Sequence, residues 1–178
     1  LLLALDEVQC GYGRCGALFT HTLYNVQPDI VTCAKGIGNG FPLAAILMSE
    51  AVEAALEPGC HGSTYGSNPL AMAVGAAVLK VMLQDEGFFN NISTIGASLK
   101  AKLEAVAADF PKLITQVRGM GLMLGLQMAV PARPVADRLR ENGLLVAPAY
   151  GDVLRFVPPL IMQEAHVDEA IEIVRETL

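Results

Sequence analysis

Two residues stand where chemistry could be done. Asp6 closes an apolar run, Leu1 to Leu5, and Lys35 closes a second, Ile30 to Ala34. Short continuous apolar runs read as strands buried on both faces, as in parallel sheets, where ligands bind at the carboxyl ends of the strands. A lysine set there beside apolar residues is expected to lose its proton more readily, because burial disfavours the charged form. A neutral lysine amine can condense with a carbonyl to a Schiff base. Pyridoxal phosphate enzymes pair such a lysine with a carboxylate that keeps the pyridinium nitrogen protonated. Taken alone, the pair is more simply read as two unrelated strand ends, which are often polar.

The elements that must position this pair follow from the punctuation of the chain. Gly11, Gly13 and Gly16 mark a loop after the first run, and Gly36, Gly38 and Gly40 a loop after the second. Pro42 opens a third run, Leu43 to Met48, which groups with the first two as a parallel-type strand. A short helix is expected over 49–57, closed by Pro58-Gly59. Asn68-Pro69 is a helix start, with Asn as N-cap and Pro at the first helical position, and the pattern runs to about Glu86 before Gly87. Further helices are expected near 92–108, 134–142 and 164–177, and strands within 113–128, at 144–148 and at 153–157. A boundary near 87–91 divides the chain into 1–88, strands with glycine loops, and 89–178, a compact α+β unit.

Composition narrows the function classes. The chain has 178 residues, 53% hydrophobic and 17% charged, which excludes intrinsic disorder. The net charge is -6 and no basic block occurs, so neither nucleic acid nor an anionic membrane surface is an expected partner. Mean hydropathy is +0.45, yet the longest greasy stretch, Leu70 to Leu79, is too short against the ~20 residues a bilayer requires. Cys10, Cys15, Cys33 and Cys60 form no C-x-x-C pair and read as reduced thiols of a cytoplasmic protein. Cys60-His61 lacks a second ligand pair at suitable spacing, so no metal is expected.

The words around the pair are more specific. Leu5-Asp6-Glu7-Val8-Gln9-Cys10-Gly11-Tyr12-Gly13-Arg14 is followed by Pro28-Asp29-Ile30-Val31-Thr32-Cys33-Ala34-Lys35-Gly36. Then come Gly40-Phe41-Pro42, His61-Gly62-Ser63-Thr64-Tyr65-Gly66-Ser67-Asn68-Pro69, Arg118-Gly119-Met120-Gly121-Leu122 and Leu154-Arg155-Phe156-Val157-Pro158-Pro159-Leu160. In order and spacing this series resembles the class III (ω-amino-acid) aminotransferases of the fold type I pyridoxal phosphate superfamily, over essentially the whole chain. The resemblance implies an α/β fold: part of the large-domain sheet in 1–88 and the small α+β C-terminal domain in 89–178. The stretch Val153 to Leu160, after Gly143 to Pro148, tilts it toward members acting on N-acetylornithine, while members acting on ornithine share those last motifs. Members acting on 4-aminobutyrate and aminomutases stay open, as does an inactive fragment serving only as an interaction or dimerisation module.

Residue roles follow from the resemblance. Lys35 would carry pyridoxal 5'-phosphate and serve as the acid/base. Asp6 would pair with the pyridinium nitrogen, and Gln9 would hydrogen-bond the ring hydroxyl oxygen. Ser63 and Thr64 would reach the phosphate of the cofactor held by the other subunit of a homodimer. Arg155 would clamp a carboxylate of the amino-acid substrate or of 2-oxoglutarate, which a guanidinium fork suits. Bland alternatives exist for each: Gln9 as a loop residue, Ser63 and Thr64 as turn residues, Arg155 as a partner of a structural carboxylate. Arg118 reads as a loop arginine, His21 and His61 as surface or loop residues, and His166 as a residue of the last helix's first turn with no evident chemistry.

Departures from the family pattern are Cys10 and Cys15 for threonine, Asn39 and Ser67 for glycine, and the turn at Tyr150-Gly151-Asp152. Asn39 and Ser67 are expected in loop backbone that tolerates a Cβ. A phosphate-binding loop, a ring-stacking aromatic and a glutamate near the second carboxylate precede the Asp6 motif in the family and are not in these 178 residues. The expectation is therefore the C-terminal part of a longer polypeptide, poorly soluble and weakly active by itself because it exposes sheet edges and apolar faces.

Overall fold

The computed structural model describes residues 1–178, and the chain separates into two compact units, Leu1–Phe89 and Asn90–Leu178.

The first unit is built on a three-stranded sheet in the order β1 (Ala4–Asp6), β2 (Ile30–Cys33), β3 (Ala45–Met48). β1 and β2 are parallel with Asp6 opposite Thr32, whereas β3 runs antiparallel to β2. The direction of β3 departs from expectation: the connection from Ala34 to Ala44 falls short of the crossover of a dozen or more residues that a parallel neighbour needs. Burial departs too. Leu1, Leu2 and Leu3 are exposed and lie outside β1, and Ile46, Leu47 and Met48 of β3 are exposed as well. An apolar run specifies a strand but not what covers it. A short helix α1 (Glu50–Glu53) follows, smaller than the 49–57 expected.

Helix α2 (Pro69–Gln84) starts as its sequence dictates: the Asn68 side chain accepts a hydrogen bond from Ala71 N at 2.9 Å, and Pro69 takes the first position. Its C-cap is Asp85, so it stops before Gly87. Asn68→Ala is expected to lower stability by about 1 kcal/mol, read from the urea midpoint of the purified protein. The core of this unit joins Tyr12, Val31, Cys33, Ile37 and Met82, with Leu18, Phe19, Leu43 and Val78 packed against it.

The second unit opens within α3 (Phe88–Asp109), whose buried residues Ile92, Ile95, Gly96, Leu99, Leu103 and Val106 recur at helical spacing and form one face. It begins four residues before the expected start. An antiparallel sheet follows in the order β4 (Ile114–Met120), β5 (Met123–Met128), β7 (Val153–Phe156), β6 (Ala147–Ala149). Helix α4 (Ala132–Glu141) begins two residues before Pro134, because a proline anywhere in the first turn removes only an N–H that has no helical partner. Helix α5 (Glu164–Thr177) has the bounds its periodicity predicts and buries Val167, Ala170, Ile171, Val174 and Thr177.

Three contacts fix these helices. Thr177 Oγ1 donates to Ile173 O at 2.7 Å and accepts from Asn142 Nδ2 at 2.8 Å, while Arg138 Nη2 donates to Thr177 O. His166, without a role in the sequence reading, completes a capping box: its Nδ1 accepts from Gln163 N at 3.1 Å. Lys102 of α3 bridges Glu164 and Asp168 of α5, and Ser98 Oγ donates to Glu164 at 2.6 Å. The bonds from Lys102 and Ser98 hold the Glu164 carboxyl below its usual value. A depressed carboxyl stabilises the fold above its unfolded pKa and loses that contribution as pH falls through the folded value. Stability is thus expected to drop below roughly pH 4, and to drop less in Lys102→Met, measured by urea unfolding across pH 2–6.

No helix is long and apolar enough to cross a membrane. No cluster of three or more His, Cys, Asp or Glu side chains that could hold a metal ion is formed, and all four cysteines are free.

Candidate active site

Parallel pairing of β1 with β2 brings the carboxyl ends of both strands to one edge of the sheet. Asp6 is the last residue of β1, and Lys35 follows Cys33, the last residue of β2, by two positions. The Asp6 Oδ1 atom accepts from Val8 N at 2.9 Å and from Thr32 Oγ1 at 3.0 Å. These two bonds, with the nearby positive charge of Lys35, hold the Asp6 carboxyl below its ordinary value, so it stays ionised at neutral pH. The chemistry of this edge is therefore a fixed exposed anion beside an amine.

Lys35 opens a 3-10 turn, Lys35–Ile37, in which Gly38 N donates to Lys35 O at 3.2 Å and Asn39 N to Lys35 O at 3.1 Å. Its φ is +50°, a left-handed conformation that L-residues other than Gly, Asn and Asp rarely adopt. Strain of that kind persists only where its surroundings impose it, and it gathers at functional positions. The expected burial of Lys35 is not observed: the residue is exposed.

Gln9 lies exposed in the turns that follow β1. Ser63 and Thr64 stand on the exposed connection before α2, outside the hydrogen-bond set of Asp6. Arg155 belongs to the second unit, half-buried on β7 opposite Gly125 and Ala147. It lines a cavity of about 430 Å³ whose other walls, among them Leu145, Val157, Pro159 and Met162, are apolar. A guanidinium at an otherwise apolar wall suits an anion whose carbon chain is packed beside it. Arg118, expected in a loop, lies within β4.

Several features were not legible. Asn39 and Ser67, expected in loop backbone that tolerates a Cβ, have φ values of +44° and +56°, the left-handed region that favours glycine. Glu7 is buried and bonded to His21, which was expected at the surface; a carboxylate directly after Asp6 in an apolar context was the available signal. Burial pushes the thiols of Cys10, Cys15 and Cys33 up, which leaves them poor nucleophiles.

Residues 1–178 match the class-III aminotransferase family. The chain is 47% identical over 175 residues to an acetylornithine aminotransferase of Mesorhizobium japonicum, covering 98% of this chain and 44% of that protein. It is 42% identical over 177 residues to a mitochondrial acetylornithine aminotransferase of Yarrowia lipolytica, covering 99% of this chain and 42% of that one. Among solved structures, a Plasmodium falciparum ornithine δ-aminotransferase superposes with a TM-score of 0.92 at 35% identity, over 99% of this chain and 46% of that one. An Elizabethkingia anophelis acetylornithine aminotransferase superposes at 0.91 and 35%, over 99% and 45%. The chain thus spans a little under half the length of the proteins it matches.

The fold is the mixed α/β fold of these enzymes, whose cofactor is pyridoxal phosphate. The residues in place fit that group. The ionised Asp6 meets the need for an anion at a pyridinium nitrogen, and Lys35 offers an exposed amine at the same sheet edge. With family match, fold and cofactor chemistry in agreement, the chain belongs to the class-III aminotransferases, a pyridoxal-phosphate-dependent family.

Proposed function

We propose that the protein transfers an amino group from N-acetylornithine to 2-oxoglutarate, giving N-acetylglutamate 5-semialdehyde and glutamate, a step of arginine biosynthesis. The single observation that carries the catalytic part is the parallel register that sets an ionised Asp6 and Lys35 at one sheet edge. The donor is supported by relatives named acetylornithine aminotransferase. A second reading, ornithine as donor, draws on the superposition with ornithine aminotransferase structures.

Bound pyridoxal phosphate supplies an electron sink for the carbon that loses its proton. The chain's residues do the rest. Asp6 would keep the ring nitrogen protonated, and Gln9 would hydrogen-bond the ring hydroxyl oxygen. Lys35 Nζ would hold the cofactor, and the same amine would carry the proton between the amine-bearing carbon and the cofactor. The guanidinium of Arg155 holds a substrate carboxylate. Ser63 and Thr64 would act on the phosphate held by a partner subunit, in a cytoplasmic homodimer. In this reading residues 1–88 are part of the cofactor-binding large domain and 89–178 the small C-terminal domain.

The test is borohydride trapping on the protein expressed from its complete gene, followed by peptide mapping and by profiling with N-acetylornithine, ornithine and 4-aminobutyrate. A pyridoxyl label on Lys35 and a preference for N-acetylornithine are expected. Absence of label would replace the enzyme by the interaction module, and a preference for ornithine would move the substrate alone.

A further inference from the structure

We infer that His21 is a positioning residue for Lys35, acting through a packed column that starts at the buried carboxylate of Glu7. The column is continuous in the structure. Glu7, 3% exposed, accepts three hydrogen bonds: Oε1 from His21 N at 2.8 Å and His21 Nδ1 at 2.7 Å, and Oε2 from Thr20 N at 2.7 Å. Two anchors on one oxygen, backbone and ring, leave the imidazole no free rotation. Phe19 stacks on that ring with centroids 5.6 Å apart and planes at 22°, and Tyr12 meets Phe19 edge-on at 5.9 Å and 82°.

Tyr12 is where the column reaches the lysine. It is buried in the same core as Ile37 and Cys33, and its N–H donates to Leu18 O at 2.7 Å. A Cβ at Gly36 would lie 2.8 Å from the Cβ of Tyr12, so the backbone after Lys35 already touches this residue as closely as a glycine allows. Tyr12 therefore limits where the Lys35–Ile37 turn can lie, and that turn holds Lys35 at φ +50°. The loop between Glu7 and His21 is further closed by Gly11 N to Glu7 O at 3.0 Å and Thr20 Oγ1 to Cys10 O at 2.7 Å. These bonds close the loop on itself, with Asp6 just before its start and Gly36, the residue after Lys35, against Tyr12 in its middle. Packed aromatic pairs have discrete arrangements, so loosening one end of such a column is felt at the other.

The inference rests on Lys35 as the cofactor-bearing lysine, and the experiment separates the two. On the protein expressed from its complete gene, amide hydrogen exchange at Ile37, Gly38 and Asn39 is compared with the rest of Leu1–Phe89, alongside borohydride trapping at subsaturating pyridoxal phosphate. In His21→Ala, exchange at these three amides is expected to rise about ten-fold relative to the unit, the size of losing a hydrogen bond to a charged acceptor. Label at Lys35 is expected to fall by a similar factor, with a shifted absorption band of the bound cofactor. Tyr12→Phe keeps the ring and should match the wild type. Asp29→Ala, which removes the bond from Leu3 N at the opposite end of the sheet, should leave the three amides in step with the unit. If the three amides in His21→Ala also merely track the unit, the positioning role is overturned. If exchange shifts as expected while wild-type Lys35 takes no label, the cofactor reading falls and the column stands.

Discussion

Lys35→Ala is expected to remove the borohydride-stable pyridoxyl label and to reduce amine transfer by 10⁴-fold or more, on the order of the upper end for losing a general acid/base group. The loss should be chemical rather than structural. Lys35 is exposed, and its neighbours Ala34, Gly36 and Ile37 keep their backbone bonds without its side chain. The urea midpoint of Lys35→Ala should stay within about 0.5 kcal/mol of the wild type. Lys35→Gly adds a sharper contrast. A left-handed backbone disfavours every residue with a Cβ by about 1–2 kcal/mol, partly offset by the extra freedom glycine gives the unfolded chain. Lys35→Gly should therefore be equally inactive yet about 0.5–1 kcal/mol more stable than Lys35→Ala. Stability unchanged between the two would mean that the strain at Lys35 is relaxed in solution. Label elsewhere in Lys35→Ala would mean that another lysine holds the cofactor.

The second large effect is structural. Gly119→Ala should destabilise the second unit by about 3–5 kcal/mol, adding backbone strain to an overpacking penalty. Gly119 sits in the β4–β5 hairpin opposite Leu124 with φ +113°, and a Cβ there would lie 2.1 Å from Met123 O. The obstacle is a carbonyl already inside a ladder, so no side-chain rotation relieves it. Domains of this size have only about 5–15 kcal/mol in total, so much of the unit's stability is at stake. Urea unfolding of Gly119→Ala reads this directly, and a change under about 1 kcal/mol would show that the hairpin can shift register to make room.

Much of this architecture was legible because local signals agreed with one another. Asn68-Pro69 specified the start of α2, and the spacing of Val167, Ile171 and Val174 specified α5. The motif order around Asp6 and Lys35 specified the family. What could not be read depends on where the chain folds back. The direction of β3 depends on the short return after Lys35, and the exposure of Leu1 to Leu3 on what lies against them. Left-handed backbone at Tyr12, Lys35 and Ser67 has no residue signature, since these are not the types that favour it. The Glu7–His21 pair joins residues fourteen apart through a loop whose path no periodicity encodes.

One contact in the second unit has a consequence for how such a sequence can drift. Gly96 of α3 faces the β4–β5 turn so closely that a Cβ would come within 2.4 Å of Gly121 O. Main chain meets main chain there, with no rotamer between them to absorb a change. In an ordinary core a larger residue on one side can be answered by a smaller one opposite, and variation wanders through such pairs. At this joint no compensating partner exists, because neither side has anything left to shorten. Lineages carrying this fold should hold position 96 fixed and place their variation instead on the outer face of α3, at Asn90, Asn91 and Glu104, where side chains end in solvent.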